Sequence, residues 1–307
     1  LYITVYGRTD DILAAIDGRS YDANRFVIVE APEVIGNEES PVSAIRSKKD
    51  SSIVKAMRSV VEGHADGFVS AGSTGAVLAG GTFIIKRIRG IHRPALAPVM
   101  PSSKEGFLLI DCGANVDSKP EYLAQFGVMG SIYMQQVFHM KNPRVGLVNN
   151  GAEEGKGNEL VKQAAPLLRQ MPINYQGNVE AREITSGDYD VIVADGFVGN
   201  VILKLMEGMA ATIFDMLKVQ MSSGLRNKLG AALLMPALRK FKKQMDYTEY
   251  GGAPLLGLEA AVVKAHGSSN QKAFYHAIRQ CKEMVEGDIV NRIKTDIEGL
   301  DLTSATE

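Results

Sequence analysis

Cysteine is scarce in this sequence. Its 307 residues contain two, Cys112 and Cys281. Two cysteines are too few for the disulfide framework of a small secreted domain, and they lack the paired spacing of a zinc site. We therefore expect a protein of the reducing cytoplasm.

The sequence also lacks a surplus of either charge and a long apolar run. It has 34 Lys and Arg against 35 Asp and Glu, for a net charge of −1. Because nucleic-acid binding usually requires a basic surplus, we expect no nucleic-acid partner. No apolar run approaches the roughly 18 uninterrupted residues of a membrane span, and no signal peptide is visible. The chain is 45% hydrophobic, which is sufficient for one large or two medium domains.

The sequence does not begin with methionine. Residues 1–6 already have the composition of a strand. We therefore expect that the chain lacks its natural start.

The usual catalytic motifs are also missing. Residues 151–157 resemble a phosphate-binding loop, but the glycine spacing is wrong and no Ser or Thr follows the lysine. Residues 72–75 do not fit the dinucleotide fingerprint. The sequence has no nucleophile elbow and no His-Glu-x-x-His pair, so conventional nucleophile chemistry finds no support.

A repeated pattern is present instead: an apolar run, a glycine-rich polar turn, then a helical pattern. The turns lie at 70–75, 111–115, 149–157, 195–200 and 266–269. In an open α/β sheet such turns lie together at the carboxyl ends of the strands, where ligands bind. Glycine permits close approach of the backbone, and the following helix offers unpaired N–H groups. The pattern predicts an anion site.

The order of elements predicts the fold class. Helical spacing is found at 10–17, 51–62, 75–87, 120–136, 159–169, 201–220 and 272–285. Strand-like runs alternate with them, which implies a mostly parallel sheet covered by helices on both faces. The fold class is therefore α/β, a three-layer sandwich. Residues 222–250 break the alternation and predict an added helical segment.

Ten ordered motifs carry a family resemblance. They lie at 50–52, 70–76, 93–95, 111–115, 153–157, 177–180, 195–200, 203–204, 251–257 and 266–269. Together they resemble the bacterial phosphate acyltransferase family, over roughly residues 50–289 of the chain. Members of that family normally begin with a strand and an Asp-Ala-Met-Gly-Gly-Asp turn, which this sequence lacks.

The resemblance implies an activity. Such enzymes make acyl-phosphate from long-chain acyl-[acyl-carrier protein] and inorganic phosphate, the first step towards phosphatidic acid. Phosphate attacks the thioester directly, so no enzyme nucleophile, cofactor or metal is expected. The implied fold is that of isocitrate and isopropylmalate dehydrogenases and of phosphotransacetylase, with the substrate in a cleft between two halves. Residues 1–307 would form one acyltransferase unit.

The matching motifs supply the candidate site residues. The expected catalytic residues are His266, Lys204, Asn200 and Asn115. The residues expected to bind phosphate or substrate are Ser70, Gly72, Ser73, Thr74, Lys156, Asp195, Gly196, Gly251, Gly252 and Ser268.

Several of these residues have an ordinary structural interpretation as well. The hydroxyls of Ser70, Ser73 and Thr74 either donate to phosphate or cap the helix that begins near residue 75. Gly251 and Gly252 permit close approach either of a ligand or of a neighbouring strand. The sequence does not separate these alternatives.

The charged and amide candidates also have more than one possible role. Asn200 is expected to be the N-cap of a helix whose end faces the phosphate. Lys156 and Lys204 either neutralise phosphate or are solvated. Asp111 and Asp195 are expected to order their loops by accepting backbone N–H bonds rather than to bind metal.

His266 is the one histidine at a strand end inside a motif. It is a candidate general acid for the leaving thiol. The alternative is a structural histidine that bonds a neighbouring turn.

The segment 222–250 is apolar and basic. Apolar residues recur every four positions from Leu225 to Phe241, and six basic residues lie nearby. Gly230 and Pro236 are expected to interrupt the helix. The segment is either an ordinary core or dimer helix, or a helical hairpin whose apolar tip enters a membrane surface. Its basic flank would meet anionic headgroups or dock the acidic carrier protein. The family resemblance implies peripheral membrane association, and we also expect a homodimer.

Three rival functions remain open at this point. A phosphotransacetylase-like enzyme would use acyl-coenzyme A. A decarboxylating hydroxyacid dehydrogenase would need nicotinamide and a divalent cation, for which we find no acidic cluster in the sequence. A catalytically inactive scaffold would bind carrier protein and membrane only.

Overall fold

The computed structural model describes residues 1–245 and 247–300. The chain forms two compact units. Unit 1 comprises residues 1–94, 136–139 and 251–300, and the described part of unit 2 comprises 95–135, 140–245 and 247–250. Two medium domains were one of the arrangements that the composition allowed.

The strands in the described residues are short. In chain order they are β1 Ile3–Gly7, β2 Phe26–Glu30, β3 Gly67–Ser70, β4 Ala95–Leu96, β5 Val99–Met100, β6 Phe107–Ile110, β7 Arg144–Asn149, β8 Asn174–Glu180, β9 Val191–Val193, β10 Ala253–Leu256 and β11 Ala261–Lys264. Those predicted at 67–70, 107–111, 144–149, 191–194 and 262–265 are all present within one residue.

The helices alternate with these strands. They are α1 Thr9–Ile16, α2 Pro41–Ser47, α3 Ser52–Val61, α4 Thr74–Gly80, α5 Pro120–Val137, α6 Glu159–Gln170, α7 Gly196–Ser222, α8 Leu225–Gln244, α9 Gln271–Glu286 and α10 Ile289–Glu298. A π-helical turn, Gly81–Ile85, follows α4, and 3₁₀ turns lie at Ala181–Glu183 and Tyr247–Tyr250. Most predicted helices are correct within one residue, but α7 begins five residues earlier than the predicted 201–220. The helix predicted at 75–87 is divided into α4 and the π-helical turn, which ends at Ile85.

In unit 1, β1 pairs with β2 in parallel. β11 pairs with β3 in parallel and with β10 antiparallel, in the order β3-β11-β10. The buried faces of these strands and of the helices around them form the core of the unit, with Met57, Val77, Val262, Val263, Ala277 and Ile293 among its members.

Unit 2 contains a five-stranded sheet in the order β5-β6-β9-β7-β8. Its pairs are parallel except β5 with β6. Strand β6 is completely buried, as expected for a central strand of an α/β sheet. Ile202, Leu203 and Met206 of α7 pack against the cluster that includes Phe107 and Leu109.

The α/β class with parallel-rich sheets is therefore confirmed. The strands do not form one sheet, as the simplest interpretation of the alternation would have it. The described residues form three sheets, of two, four and five strands. Strand periodicity specifies which residues form strands but not which strands pair, because pairing depends on contacts distant in sequence.

Helices α7 and α8 form a helical hairpin. They are joined at Ser223 and Gly224, and the rings of Phe214 and Phe241 lie 5.7 Å apart between centroids. The predicted interruption at Gly230 and Pro236 is wrong, because both lie inside α8. This helix is largely exposed, so water can satisfy the carbonyl group that Pro236 leaves unbonded, and the surrounding Leu, Ala, Lys and Arg favour helix.

By length and composition alone, α7 could span a membrane. Its mean hydropathy is 1.4 over an 18-residue window of which 6% is buried. The helix contains no long uninterrupted apolar run, because Lys204, Glu207, Asp215 and Lys218 divide it.

Candidate functional site

Three of the predicted turns follow neighbouring parallel strands of unit 2. Ile110 of β6 and Leu147 of β7 both align with Val193 of β9. The turns at 111–115, 149–157 and 195–200 therefore begin at the same edge of this sheet, as the sequence predicted.

The Asp111 carboxylate organises the first of these turns. It is completely buried and accepts hydrogen bonds from the N–H of Leu96 (2.8 Å), the N–H of Ala114 (3.2 Å), and the N–H (2.7 Å) and Nδ2 (3.0 Å) of Asn115. Burial raises the pKa of Asp111 above its ordinary value, and these four hydrogen bonds oppose the rise. The prediction that Asp111 orders its loop is confirmed.

Asp195 is the N-cap of α7. Its Oδ1 accepts from the N–H groups of Phe197 and Val198, each at 3.0 Å. The prediction that Asn200 caps this helix is wrong, since the helix has already begun at Gly196. An aspartate before Gly196 can accept two orphan N–H groups and also complements the positive end of the helix dipole.

The N-terminus of α7 has no N–H group left for a ligand in its first turn. Gly196 N–H donates to the carbonyl oxygen of Asn115 (2.8 Å), and Gly199 N–H donates to that of Asp195 (2.9 Å). The N–H groups of Phe197 and Val198 donate to the Asp195 cap. Among the described residues, the first turn of α7 therefore has none of the unpaired N–H groups that the sequence predicted. Its contribution to anion binding would be through the dipole alone.

Two glycines allow α7 to approach the Asp111 turn. A Cβ on Gly196 would lie 2.5 Å from the Asn115 carbonyl oxygen, and a Cβ on Gly199 would overlap the Asp111 carbonyl oxygen. Gly113, at φ +105°, lies against Asn200. Asn115, Asp195, Gly196 and Asn200 are thus brought together, with Asn115 and Gly196 engaged in internal packing.

Lys204 lies one turn beyond Asn200, and its Nζ is 2.7 Å from Oε2 of Glu207. Burial raises the pKa of Cys112, and the charges of Asp111 and Glu207 raise it further while Lys204 lowers it. Lys204 and Glu207 therefore lie within electrostatic range of the Asp111 turn. Glu207 was missed from sequence because it lies outside every glycine-rich motif.

Lys156 lies apart from this group. It is exposed, and its main chain closes the β7 turn: Lys156 N–H donates to Glu153 and its carbonyl accepts from Asn149 Nδ2 at 3.0 Å. Within the described ranges, no hydrogen bond or ion pair connects it to the turns at Asp111 or Asp195.

Unit 1 brings together a second set of candidates. Ser70 of β3 aligns with Lys264 of β11, and Ala265 N–H donates to the Ser70 carbonyl oxygen at 2.9 Å. The turns at 70–75 and 266–269 therefore leave adjacent parallel strands at the same edge.

The hydroxyl groups of the β3 turn differ in whether they make hydrogen bonds within the protein. Ser70 Oγ accepts from Gly72 N–H at 3.0 Å. Ser73 is the N-cap of α4, yet its side chain makes no capping hydrogen bond. No hydrogen bond of the described residues uses the hydroxyls of Ser73 and Thr74 or the N–H groups of residues 74–76. This turn retains the free donors that α7 lacks.

His266 bonds its own turn. Its Nδ1 lies 2.7 Å from Ser268 Oγ and 3.2 Å from Ser268 N, which can only donate. We assign the proton of the neutral ring to Nε2 for this reason. The exposed ring thus has both properties weighed from sequence: a structural bond on one nitrogen and a potential donor on the other.

Gly251 and Gly252 pack against protein. A Cβ on Gly251 would lie 2.8 Å from Gln280 Oε1 of α9, and one on Gly252 would lie 2.6 Å from the Lys264 carbonyl oxygen of β11. Gly252 N–H also donates to Gln280 Oε1 at 2.9 Å. Close approach of a strand and a helix accounts for both glycines.

Sequence reasoning missed Lys264. It is only 8% exposed at the end of the apolar strand β11, two residues before His266, and its Nζ donates to the Ala265 carbonyl oxygen. A lysine that ends an otherwise apolar strand at a ligand-binding edge was the available signal.

The packing of α7 on the Asp111 turn gives a direct test. We expect Gly199→Ala to lower the free energy of unfolding by about 1–3 kcal/mol or more, because the new methyl overlaps main chain rather than a movable side chain. Gly208→Ala is the matched control on the same helix, where a Cβ would contact nothing within 4 Å. It should raise stability by up to about 1 kcal/mol. Urea unfolding measures the free energy of unfolding of both variants. Equal changes in the two variants would contradict the close packing of Gly199 on the Asp111 turn.

Solved structures with a similar fold include two phosphotransacetylases. The EutD phosphotransacetylase from Staphylococcus aureus has a TM-score of 0.60 at 18% identity, covering 92% of this chain and 86% of that one. The phosphotransacetylase from Streptococcus pyogenes has a TM-score of 0.54 at 15% identity, covering 96% and 85%. At these identities the likeness concerns the fold alone.

Closer relatives are found by sequence. The phosphate acyltransferase of Clostridium botulinum (strain Loch Maree / Type A3) is 49% identical over 300 residues, covering 98% of this chain and 90% of the relative. That of Clostridium perfringens (strain ATCC 13124) is 51% identical over 298 residues, covering 97% and 87%. The model of a family described as fatty acid synthesis protein matches residues 1–292. The chain belongs to the phosphate acyltransferase family.

Proposed function

We propose that this chain transfers a long-chain acyl group from acyl-carrier protein to inorganic phosphate. The products are acyl-phosphate and the free carrier thiol, and the reaction is the first step towards phosphatidic acid. The observation that carries the proposal is the β3 turn of this chain, a member of the phosphate acyltransferase family. The hydroxyl groups of Ser73 and Thr74 and the first N–H groups of α4 have no partner among the described residues.

Phosphate is proposed to bind at this turn. The hydroxyls of Ser73 and Thr74 and the first N–H groups of α4 are oriented donors, and the helix end favours negative charge. Ser70 Oγ holds Gly72 N–H, which orders the turn before the anion arrives. Donors that are already in place lose little entropy when the anion binds.

His266 is proposed as the general acid. In the direct reaction, an oxygen of hydrogen phosphate forms a bond to the thioester carbon, and the carbon–sulfur bond then breaks. The imidazolium form of His266 gives its Nε2 proton to the leaving thiolate, and the proton released by phosphate restores the imidazolium. Ser268 Oγ lies 2.7 Å from Nδ1 and can accept its proton when the ring is charged, which supports the form that donates.

In unit 2, Asn200 and Lys204 are proposed to bind anionic parts of the substrates, with Lys156 as a more distant cation. Asn115 positions the turn through its bonds to Asp111 and Gly196. Preorganised donors of this kind typically contribute about 2.7–4 kcal/mol each when they stabilise an oxyanion. No covalent enzyme intermediate is required.

A homodimer is also proposed, and α7 supports it. Phe197, Val201, Leu205, Met209 and Ile213 recur every four residues along this helix and are 45–61% exposed. Contiguous apolar surface of this kind usually marks an interaction site. A second copy of the chain is the proposed partner for this stripe.

Peripheral membrane contact through residues 222–250, on the cytoplasmic side, is proposed from α8. Leu225, Leu229 and Leu233 are 76%, 62% and 85% exposed. Basic residues flank them at Arg226, Lys228, Arg239, Lys240, Lys242 and Lys243. Two interactions favour such membrane binding: leucine side chains enter the acyl region, and basic side chains contact anionic headgroups.

The detailed fold is a proposal as well. The three-layer sandwich of isocitrate and isopropylmalate dehydrogenases remains our choice. The parallel pairs β3 with β11 and β6 with β9 support it, as does the alternation of strands with helices.

The activity assay uses palmitoyl-[acyl-carrier protein] and inorganic phosphate without metal or nicotinamide. We expect phosphate-dependent release of carrier thiol and formation of palmitoyl-phosphate, because direct attack needs only bound and oriented reactants. Palmitoyl-coenzyme A is the parallel substrate. A preference for it would favour a phosphotransacetylase-like enzyme, and no release with either donor would leave the inactive scaffold.

Phosphate saturation tests the proposed anion donors. We expect Thr74→Val to raise KM for phosphate by about ten- to a hundredfold, as for loss of a hydrogen bond to a charged group. Asn200→Ala and Lys204→Ala should also weaken phosphate use without unfolding the chain.

The control for these variants is Thr212→Val. Thr212 Oγ1 donates to the Gly208 carbonyl oxygen within α7, so the same substitution there should leave KM unchanged. Normal phosphate saturation in all three site variants would show that phosphate binds elsewhere.

Membrane binding is measured by co-sedimentation with phosphatidylglycerol–phosphatidylcholine vesicles. We expect Leu233→Asp to weaken binding by about tenfold or more, since it removes a leucine side chain that enters the acyl region of the bilayer. Salt should weaken the binding of the wild-type chain by screening its basic flank. Leu13→Asp on α1 is the control, because Leu13 is also exposed but lies outside the hairpin. Equal binding of both variants would contradict the proposal.

A further inference from the structure

Lys264 is a buried cation at the ligand-binding edge of unit 1, and the reaction proposed above gives it no role. It ends strand β11 after three buried apolar residues and is 8% exposed. Lysine is almost never buried to this extent unless other groups compensate its charge. Its Nζ donates to the carbonyl oxygen of Ala265, one residue nearer to the edge. The ammonium group therefore lies at the end of the strand, where the turn at 266–269 begins.

Strand pairing places Lys264 next to the β3 turn. Lys264 aligns with Ser70, the last residue of β3, and Ala265 N–H donates to the Ser70 carbonyl oxygen at 2.9 Å. Residues aligned across neighbouring strands point to the same face of a sheet. The side chains of Ser70 and Lys264 therefore lie side by side where the two turns begin.

Lys264 lies on the face of the sheet that α9 does not cover. A Cβ on Gly67 of β3 would lie 2.5 Å from Sγ of Cys281 in α9, so residues 67 and 69 of this strand face α9. Alternation along the strand then turns Ser70 to the opposite face, and Lys264 with it.

The phosphate donors proposed at the β3 turn lie on this second face too. A Cβ on Gly72 would lie 3.2 Å from Ser70 Oγ and 3.0 Å from Ile53 Cδ1 of α3, so α3 covers this face. Helix α4 packs on α3. The hydroxyl groups at the start of α4 and the ammonium group of Lys264 are therefore on the same side of the sheet edge.

The turns that follow the two strands are neighbours as well. A Cβ on Gly267 would lie 4.0 Å from the Ala71 carbonyl oxygen. His266, the proposed general acid, immediately precedes Gly267. The edge of unit 1 thus brings together a cation, hydroxyl donors and an imidazole.

We propose that Lys264 binds the inorganic phosphate at the β3 turn. The inference rests on the proposed function, in which phosphate binds there. The hydroxyl groups of Ser73 and Thr74 are neutral donors, whereas an ammonium group supplies a full positive charge. A hydrogen bond from a charged donor to phosphate is roughly twice as strong as one between neutral groups. The bond to Ala265 already restricts the Lys264 side chain, so less conformational entropy is lost when phosphate binds.

Lys264 is better suited to this role than the two lysines of the glycine-rich motifs. Lys204 is 54% exposed and Lys156 is also exposed, and both lie in unit 2. Water and salt screen exposed charges, whereas the protein around a buried charge screens it less. A buried cation therefore attracts a bound anion more strongly than an exposed one.

The alternative is a purely structural role for Lys264. In that case its ammonium group serves only to bond the Ala265 carbonyl oxygen and so to order the end of β11. Loss of the charge would then change stability and leave phosphate affinity as it is.

The test is Lys264→Met, which keeps the length of the side chain and removes its charge. We expect KM for phosphate to rise by about ten- to a hundredfold, as for loss of a hydrogen bond to a charged group, with KM for palmitoyl-[acyl-carrier protein] unchanged. Calorimetric titration of the full chain with inorganic phosphate should show the same loss of affinity. If Lys264→Met does not fold, Lys264→Gln replaces it, because the amide retains a donor for the Ala265 carbonyl oxygen.

Lys48→Met is the matched control in the same unit. Lys48 Nζ also donates to a backbone carbonyl oxygen, that of Val34 at 2.7 Å, and its side chain is 31% exposed. It follows the end of α2, outside the turns at 70–75 and 266–269. Phosphate affinity should therefore be unchanged in this variant.

The outcomes separate this inference from the proposed function. Unchanged phosphate affinity in a folded Lys264→Met or Lys264→Gln chain, with acyl-phosphate formed by the wild type, would overturn the assignment of Lys264 alone. A lower melting temperature with unchanged phosphate affinity would assign it the structural role. Absence of acyl transfer from every donor would overturn the proposed function, whereas calorimetry with phosphate would still decide whether Lys264 binds the anion.

Discussion

The buried Asp111 carboxylate is the interaction on which the candidate site of unit 2 depends. It holds Leu96, Ala114 and Asn115 by four hydrogen bonds. The ordered Asn115 carbonyl then receives Gly196 at the start of α7. Without the carboxylate, several buried donors would be unpaired, at about 1–3 kcal/mol each. Its charge is therefore tolerated in the core because the turn is built around it.

The same interaction determines whether the N-terminus of α7 can bind an anion. The N–H groups of the first turn of the helix donate to Asp195 and to the Asn115 carbonyl oxygen. The start of the helix is therefore fixed to the protein and offers no free N–H group to an anion. From this fixed start the helix runs 27 residues into the hairpin with α8. One face of the helix, with Ile202, Leu203 and Met206, packs on the core, whereas the stripe from Phe197 to Ile213 is exposed. One helix thus links the turn at the sheet edge to the surfaces proposed for partner and membrane.

Much of the fold followed from local pattern. The central strands and five of the seven predicted helices agree with the structure within one residue, because periodicity and glycine-rich turns depend on near neighbours. The exceptions have local explanations too. The start of α7 was missed because Asp195 and not Asn200 caps it, and α8 continues through Pro236 because its exposed carbonyls can bond water.

The sequence by itself determined the α/β class, the family and the residue types at the turns, since these are properties of local spacing and ordered motifs. Only the tertiary structure decided which donors remain free. Ser73 and Thr74 keep theirs, while α7 loses its own to Asn115, a residue some eighty positions earlier. Only the structure revealed that Gly251 and Gly252 pack against protein and that Lys264 is buried beside the β3 turn. Hydrogen-bond satisfaction and burial depend on segments distant in sequence, and no local pattern records them.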